Sequence, residues 1–167
     1  MFKEGELVMY GGMGVCKVEK IGRPDFAEPD DDTQFYFLEP LYKSGIFYVP
    51  VKSRKASLRK VISKKEAKNL MENLDDVKWE IYSNPSIQKL SQHYQSIIDN
   101  HDCKELISLI KSIIEKEVEA QSKNKKLGQI DKRFRKKAEE LVYGELAAVL
   151  KMDREKIESI ISEGLQS

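Results

Sequence analysis

Ser63-Lys64-Lys65-Glu66-Ala67-Lys68-Asn69-Leu70-Met71 is the stretch over which the chain changes its period. Ser63 followed three residues later by Glu66 forms a capping box. The serine hydroxyl can accept from the Glu66 N–H while the glutamate reaches back to the start of a helix. Ala67, Leu70, Met71 and Leu74 then recur at helical spacing. Upstream, Val15-Cys16-Lys17-Val18-Glu19-Lys20-Ile21 alternates apolar with mostly polar residues, the period of a half-buried strand. The change of period divides the chain into a β module, 1–62, and a helical domain, 63–167.

The β module reads as five short strands. Glu6–Tyr10 is the first, and Gly11-Gly12-Met13-Gly14 turns the chain into Val15–Ile21. Residues 22–33 carry two prolines and the run Asp30-Asp31-Asp32, a polar surface loop. Phe35-Tyr36-Phe37-Leu38 and Ile46-Phe47-Tyr48-Val49-Pro50 follow, separated by Pro40 and a Lys43-Ser44-Gly45 turn, and a last strand falls around Ala56–Arg59. Strands this short and this frequent predict a small, strongly bent sheet or barrel of the SH3 or Tudor type.

Beyond Ser63, Asn84-Pro85-Ser86 breaks the chain, and Ile87, Leu90, Tyr94, Ile97 and Ile98 line the next helix. Asp102 with Glu105 starts another, with apolar positions from Leu106 to Val118. Gly128 lies in a connection, Asp131 is predicted to cap a long helix through Leu150, and Asp153 to cap a final one carrying Ile157, Ile161 and Leu165. The fold class is α+β, a small SH3/Tudor-like β-barrel followed by an all-helical C-terminal domain.

The 167 residues hold 29 Lys+Arg against 28 Asp+Glu, a net charge of +1, with 40% apolar residues. That is enough apolar side chain for a real core, and no run approaches the roughly 18 apolar residues of a membrane span. The start of the chain lacks the apolar stretch of a signal peptide. Cys16 and Cys103, far apart and without metal-type partners, argue against a disulfide framework or a zinc site and for a cytoplasmic setting.

Few motifs carry chemistry. The glycine run precedes a strand rather than a helix, so it reads as a hairpin turn and not as a phosphate cradle. Asp30–Asp32 is contiguous, unlike the spaced ligands of a calcium loop. His93 and His101 sit on polar stretches outside any catalytic motif and read as surface histidines. No catalytic residue, metal site, cofactor or small-molecule ligand is expected. Two segments are almost purely basic. Residues 51–60 hold Lys52, Arg54, Lys55, Arg59 and Lys60 with no acid, and residues 121–138 hold eight cations, among them Lys125, Lys132 and Arg133, against Asp131 alone. Such clusters can neutralise nucleic-acid phosphates; by charge count alone, a solvated face is the simpler reading. Trp79, the only tryptophan, can wedge into a minor groove or anchor the joint between two domains as a buried hydrophobe, and the packing role is favoured.

In their order, several pieces resemble the CarD (CdnL-type) family of bacterial transcription regulators. They are Phe2–Val15, Phe35–Leu38, Tyr48-Val49-Pro50 and, in the helical half, Lys136–Ala147 with its Glu140-Leu141-Val142-Tyr143-Gly144-Glu145-Leu146-Ala147 core. The N-terminal module is similar to the RNA-polymerase-interacting domain shared with transcription-repair coupling factors. The resemblance implies a non-enzymatic, cytoplasmic regulator. Its Tudor-like domain would dock on the RNA polymerase β subunit by adding a strand edge, and its helical domain would contact promoter DNA, without reading sequence, at the upstream edge of the transcription bubble. Strand Ile46–Pro50 matches the family's docking strand, so Ile46, Phe47, Tyr48 and Val49 would bind polymerase, although Tyr48 stands where many members have an arginine; Pro24 falls where another basic docking residue is common, and the adjacent Arg23 would substitute for it. In the family a tryptophan wedge precedes an Arg-Arg-Tyr stretch; here Gln92-His93-Tyr94 is the nearest counterpart, Leu90 or Ile87 occupies the wedge neighbourhood, and Trp79, the wedge candidate, lies well upstream. Lys89, Lys125, Lys132 and Arg133 would supply phosphate contacts to DNA. The rival reading is a protein–protein adaptor that uses the β module without DNA.

Overall fold

The computed structural model describes residues Met1–Gln166. They form two compact units that meet in the chain between Val61 and Ile62.

The first unit is one antiparallel sheet of five strands: β1 (Leu7–Tyr10), β2 (Gly14–Gly22), β3 (Phe35–Pro40), β4 (Phe47–Pro50) and β5 (Leu58–Lys60). Their order is β4-β3-β2-β1-β5, a curled half-barrel with β4 and β5 at its two edges. The β1–β2 hairpin turns through a single 3-10 turn, Gly11–Met13, with Gly11 at φ 42° and Gly14 at φ 92°. A side chain at either position would meet the left-handed penalty that glycine escapes. The alternation legible in β2 serves the core. Val8, Cys16, Val18, Tyr36, Leu38 and Val49 bury their side chains together, and Phe2, Tyr10, Phe47, Val51, Ala56 and Leu58 close over them. The register slips between Val18 and Lys20, a bulge that bends β2.

The second unit is helical: α1 (Lys64–Glu72), α2 (Ile87–Asn100), α3 (Cys103–Ser122), α4 (Gln129–Leu150) and α5 (Arg154–Gln166). The Ser63 hydroxyl accepts from the Glu66 N–H at 3.1 Å, and the Asp102 carboxylate from the Glu105 N–H at 3.0 Å, the predicted caps of α1 and α3. Ser86 caps α2 in the same way. The core joins Leu90, Tyr94 and Ile98 of α2 to Leu106, Ile107, Ile110 and Ile113 of α3, Phe134, Val142 and Leu146 of α4, and Ile157 and Ile161 of α5.

The structure departs from the sequence expectations at four residues, Asp131, His101, Ile87 and Val118. Gly128, not Asp131, is the N-cap of α4. Asp131 lies one turn further in, its carboxylate buried because it accepts from the Tyr94 hydroxyl at 2.6 Å and pairs with the Lys116 ammonium at 3.0 Å. His101 is 2% exposed, not a surface residue. It takes a left-handed conformation (φ 39°) in the two-residue connection between α2 and α3, where a sharp reversal encloses it. Ile87, the first residue of α2, is exposed, so the buried stripe begins at Leu90. Val118 is exposed too, because the packed part of α3 ends at Ile114. No helix among the described residues is long and apolar enough to cross a membrane, and none of their His, Cys, Asp and Glu side chains cluster as a metal site.

Candidate functional site

In the first unit, chemistry gathers at the β4 edge. Pairing sets Phe37 opposite Tyr48 and Tyr36 opposite Val49, and the two-residue period then sends alternate side chains to opposite faces. Val49 points into the core, and Phe47 packs edge-on against Tyr10 with ring centres 5.8 Å apart. At these two positions the outer edge of β4 is mainly backbone. Tyr48 points outward and is 41% exposed, and Ile46, just ahead of the strand, is 48% exposed.

Tyr48 does not stand alone. Its ring meets Phe37 at 4.9 Å and Phe26 at 5.1 Å, and Phe26 meets Phe35 at 5.9 Å, every contact edge-to-face. Lys20 stands 5.4 Å from the centre of the Phe37 ring. Phe26 is 64% exposed. The result is an outward aromatic cluster beside a strand whose far edge is unpaired among the described residues. Arg23, exposed, donates from Nη2 to the Glu28 carbonyl at 2.7 Å and braces the loop that carries Phe26. Sequence reading placed Phe26 in a polar loop and missed it; a lone phenylalanine among prolines and acids was the available signal.

The outer face also holds two carboxylates in conflict. Glu39 is held above the usual carboxylate range, chiefly by a hydrogen bond with Glu19 and then by that neighbour's charge.

In the helical unit the basic segment splits in two. Lys123 pairs with Glu119 at 3.7 Å, and Arg135 is held between Glu117 at 2.9 Å and Glu139 at 2.8 Å. Lys125, Lys126, Lys132, Arg133, Lys136 and Lys137 are exposed, and none is in an ion pair among the described residues. Positions 132, 133, 136 and 137 share one side of α4 by helical spacing. Arg133 and Lys137 lie 5.1 and 5.4 Å from the centre of the Phe134 ring, which carries their stems. Lys89 is exposed on the first turn of α2.

Trp79 corrects the favoured packing role. It is 43% exposed and is not a buried anchor. It lies in the irregular segment after α1, beside a cavity of about 480 Å³ that Leu74, Val77, Lys111 and Gly164 also line. The Lys111 ammonium stands 5.9 Å from its ring centre. Two bonds hold this segment to α3: the Ser108 hydroxyl donates to the Lys78 carbonyl at 2.6 Å, and Lys116 to the Tyr82 carbonyl at 3.0 Å. The Tyr82 ring stacks on His93 at 3.7 Å. Burial lowers the pKa of His93.

No curated protein matches the chain. Residues 2–62 match the family model of the CarD-like/TRCF RID domain. The match spans the first unit and supports a CarD-like, RNA-polymerase-interacting domain there, with a role in transcription.

Proposed function

We propose that the protein is a non-enzymatic, cytoplasmic regulator of bacterial transcription that docks on the RNA polymerase β subunit and contacts promoter DNA near the upstream edge of the transcription bubble. One observation carries the reading: inside the matched domain, an outward aromatic cluster of exposed Phe26 and Tyr48 with half-buried Phe37 flanks a strand edge that is unpaired among the described residues. A partner strand added at β4 gains main-chain hydrogen bonds, and aromatic anchors at its side supply the hot-spot area. Arg23 and Ile46 complete that surface, with the backbone at Phe47 and Val49. In the helical domain Lys125, Lys132 and Arg133 neutralise phosphates, with Lys89 as a further cation, and the exposed Trp79 meets the minor groove. A regulator of this kind favours the open promoter by the difference of its affinities for the open and closed complexes, and by no more.

The test is the lifetime of open promoter complexes formed by purified polymerase. Wild-type protein changes that lifetime, and Lys132→Glu with Arg133→Glu diminishes the change more at low salt than at high salt. A lifetime that responds equally to wild type and variant returns the α4 cations to a solvated face and favours the rival reading, a protein–protein adaptor that uses the β module.

A further inference from the structure

The segment 51–57 crosses from one edge strand of the first unit to the other and is not used in the function proposed above. Its backbone is pinned. The Val51 N–H donates to the Gln34 carbonyl at 2.9 Å and the Ser53 N–H to the Pro50 carbonyl at 3.0 Å. The Ser53 hydroxyl accepts from the N–H groups of Lys55 and Ala56, both at 3.3 Å. Val51, Ala56 and Leu58 turn inward against the core. What faces solvent is charge: Lys52, Arg54 and Lys55 are exposed, Lys60 follows on β5, and no acid lies between residues 51 and 60. None of these four cations is in an ion pair among the described residues.

We infer that this turn is a second phosphate-binding surface, for the backbone of duplex DNA, carried by the β domain itself. The choice of partner follows from what the turn lacks. A protein interface needs apolar or aromatic anchors at its centre and is depleted in lysine; here every apolar side chain is spent on the core. Such anchors lie elsewhere on the unit, in the cluster around Tyr48. A single-stranded nucleic acid needs aromatic faces for its bases to stack on, and the turn has none. Phosphates of a duplex need only cations and donors held in place. A turn fixed by two backbone–backbone hydrogen bonds and two more to the Ser53 hydroxyl holds the roots of its cations without further ordering cost.

The experiment uses the full-length chain and a fluorescently labelled DNA duplex of arbitrary sequence, titrated from 50 to 200 mM salt. Three proteins are compared: wild type, the triple variant Lys52→Gln, Arg54→Gln, Lys55→Gln, and the α4 double variant Lys132→Gln, Arg133→Gln. The triple variant is expected to keep the wild-type thermal midpoint, since its side chains are exposed. It is expected to flatten the plot of log binding constant against log salt by roughly 2 to 3, about 0.9 per cation removed. An unchanged slope overturns the inference. The α4 variant then shows separately whether the helical domain binds DNA, so the two readings fail independently. A single-stranded oligonucleotide bound more tightly than the duplex also overturns it. So does a triple variant that loses polymerase while keeping its DNA slope, because the turn would then belong to a protein interface.

Discussion

Replacing Asp131 by alanine removes the group that three parts of the helical domain share. Its carboxylate accepts from the Tyr94 hydroxyl at 2.6 Å and from the Lys116 ammonium at 3.0 Å, and Lys116 in turn holds the Tyr82 carbonyl of the Trp79 segment. The side chain of Asp131 is 6% exposed and that of Lys116 18%, so neither group finds bulk water without rearrangement. Breaking one partner from a buried pair costs about 3–5 kcal/mol. Lys116 keeps one carbonyl and lies near enough to the surface to recover some hydration, so the expected loss is about 2–4 kcal/mol. Tyr94→Phe forfeits only the hydroxyl bond and leaves Asp131 paired with Lys116, for about 1–2 kcal/mol. Asp131→Asn keeps an oxygen acceptor and falls between the two. Urea unfolding followed by fluorescence checks the series directly, since Trp79 is the only tryptophan and belongs to this unit. An Asp131→Ala loss under about 1 kcal/mol, or one smaller than that of Tyr94→Phe, would refute the network as the tie between α2, α3 and α4.

Two further outcomes follow from the same packing. Burial holds His93 below the ordinary histidine value of 6.5, so the folded state prefers the neutral ring. The stabilisation is therefore present above pH 6.5 and fades as pH falls below it. Urea midpoints of wild type and His93→Gln at pH 7.5 and 5.5 should show a smaller acid-induced drop in the variant; equal drops would assign the acid sensitivity to other groups. At Gly164 on α5, an added Cβ would overlap Leu74 Cδ1 and lie 3.2 Å from the Leu74 Cβ. Gly164→Ala gains helix propensity of about 1 kcal/mol but overpacks at about 1–3 kcal/mol, so its thermal midpoint should fall; a rise would mean that Leu74 moves aside freely.

What was legible in the sequence is what local pattern controls. The period-2 run in β2, the glycine turn ahead of it and the N-caps at Ser63 and Asp102 depend on residues within a few positions of one another and stand in the structure; at Ser63 the hydroxyl half of the expected capping box forms, and the return bond from the Glu66 side chain is not among the described contacts. Asp131 was misread because an aspartate ahead of an amphipathic run looks like a cap from its neighbours alone. Its partners, Tyr94 and Lys116, are 37 and 15 residues away, and only the packing of three helices chooses them. His101 was hidden for the same reason: flanking polar residues say nothing of a reversal that encloses it. At the candidate surface, the outward direction of Tyr48 follows from alternation. The contribution of Phe26 does not, because a loop phenylalanine reaches β4 only through the fold. The split of the basic segment into paired Arg135 and, among the described residues, unpaired Lys132 and Arg133 likewise needed the position of Glu117 on α3.

In the function proposed, the β4 edge and its aromatic cluster dock on the polymerase. The most direct measurement is equilibrium binding of the full-length protein to the purified RNA polymerase β subunit, compared with the double variant Phe26→Ala, Tyr48→Ala. Both side chains are exposed, so the variant should keep its fold. Hot-spot truncations of about 1–2 kcal/mol each predict saturable binding by wild type and a loss of roughly thirtyfold or more in the variant. Equal affinities would place the docking surface elsewhere on the protein, and no binding by wild type would rule out docking on the β subunit.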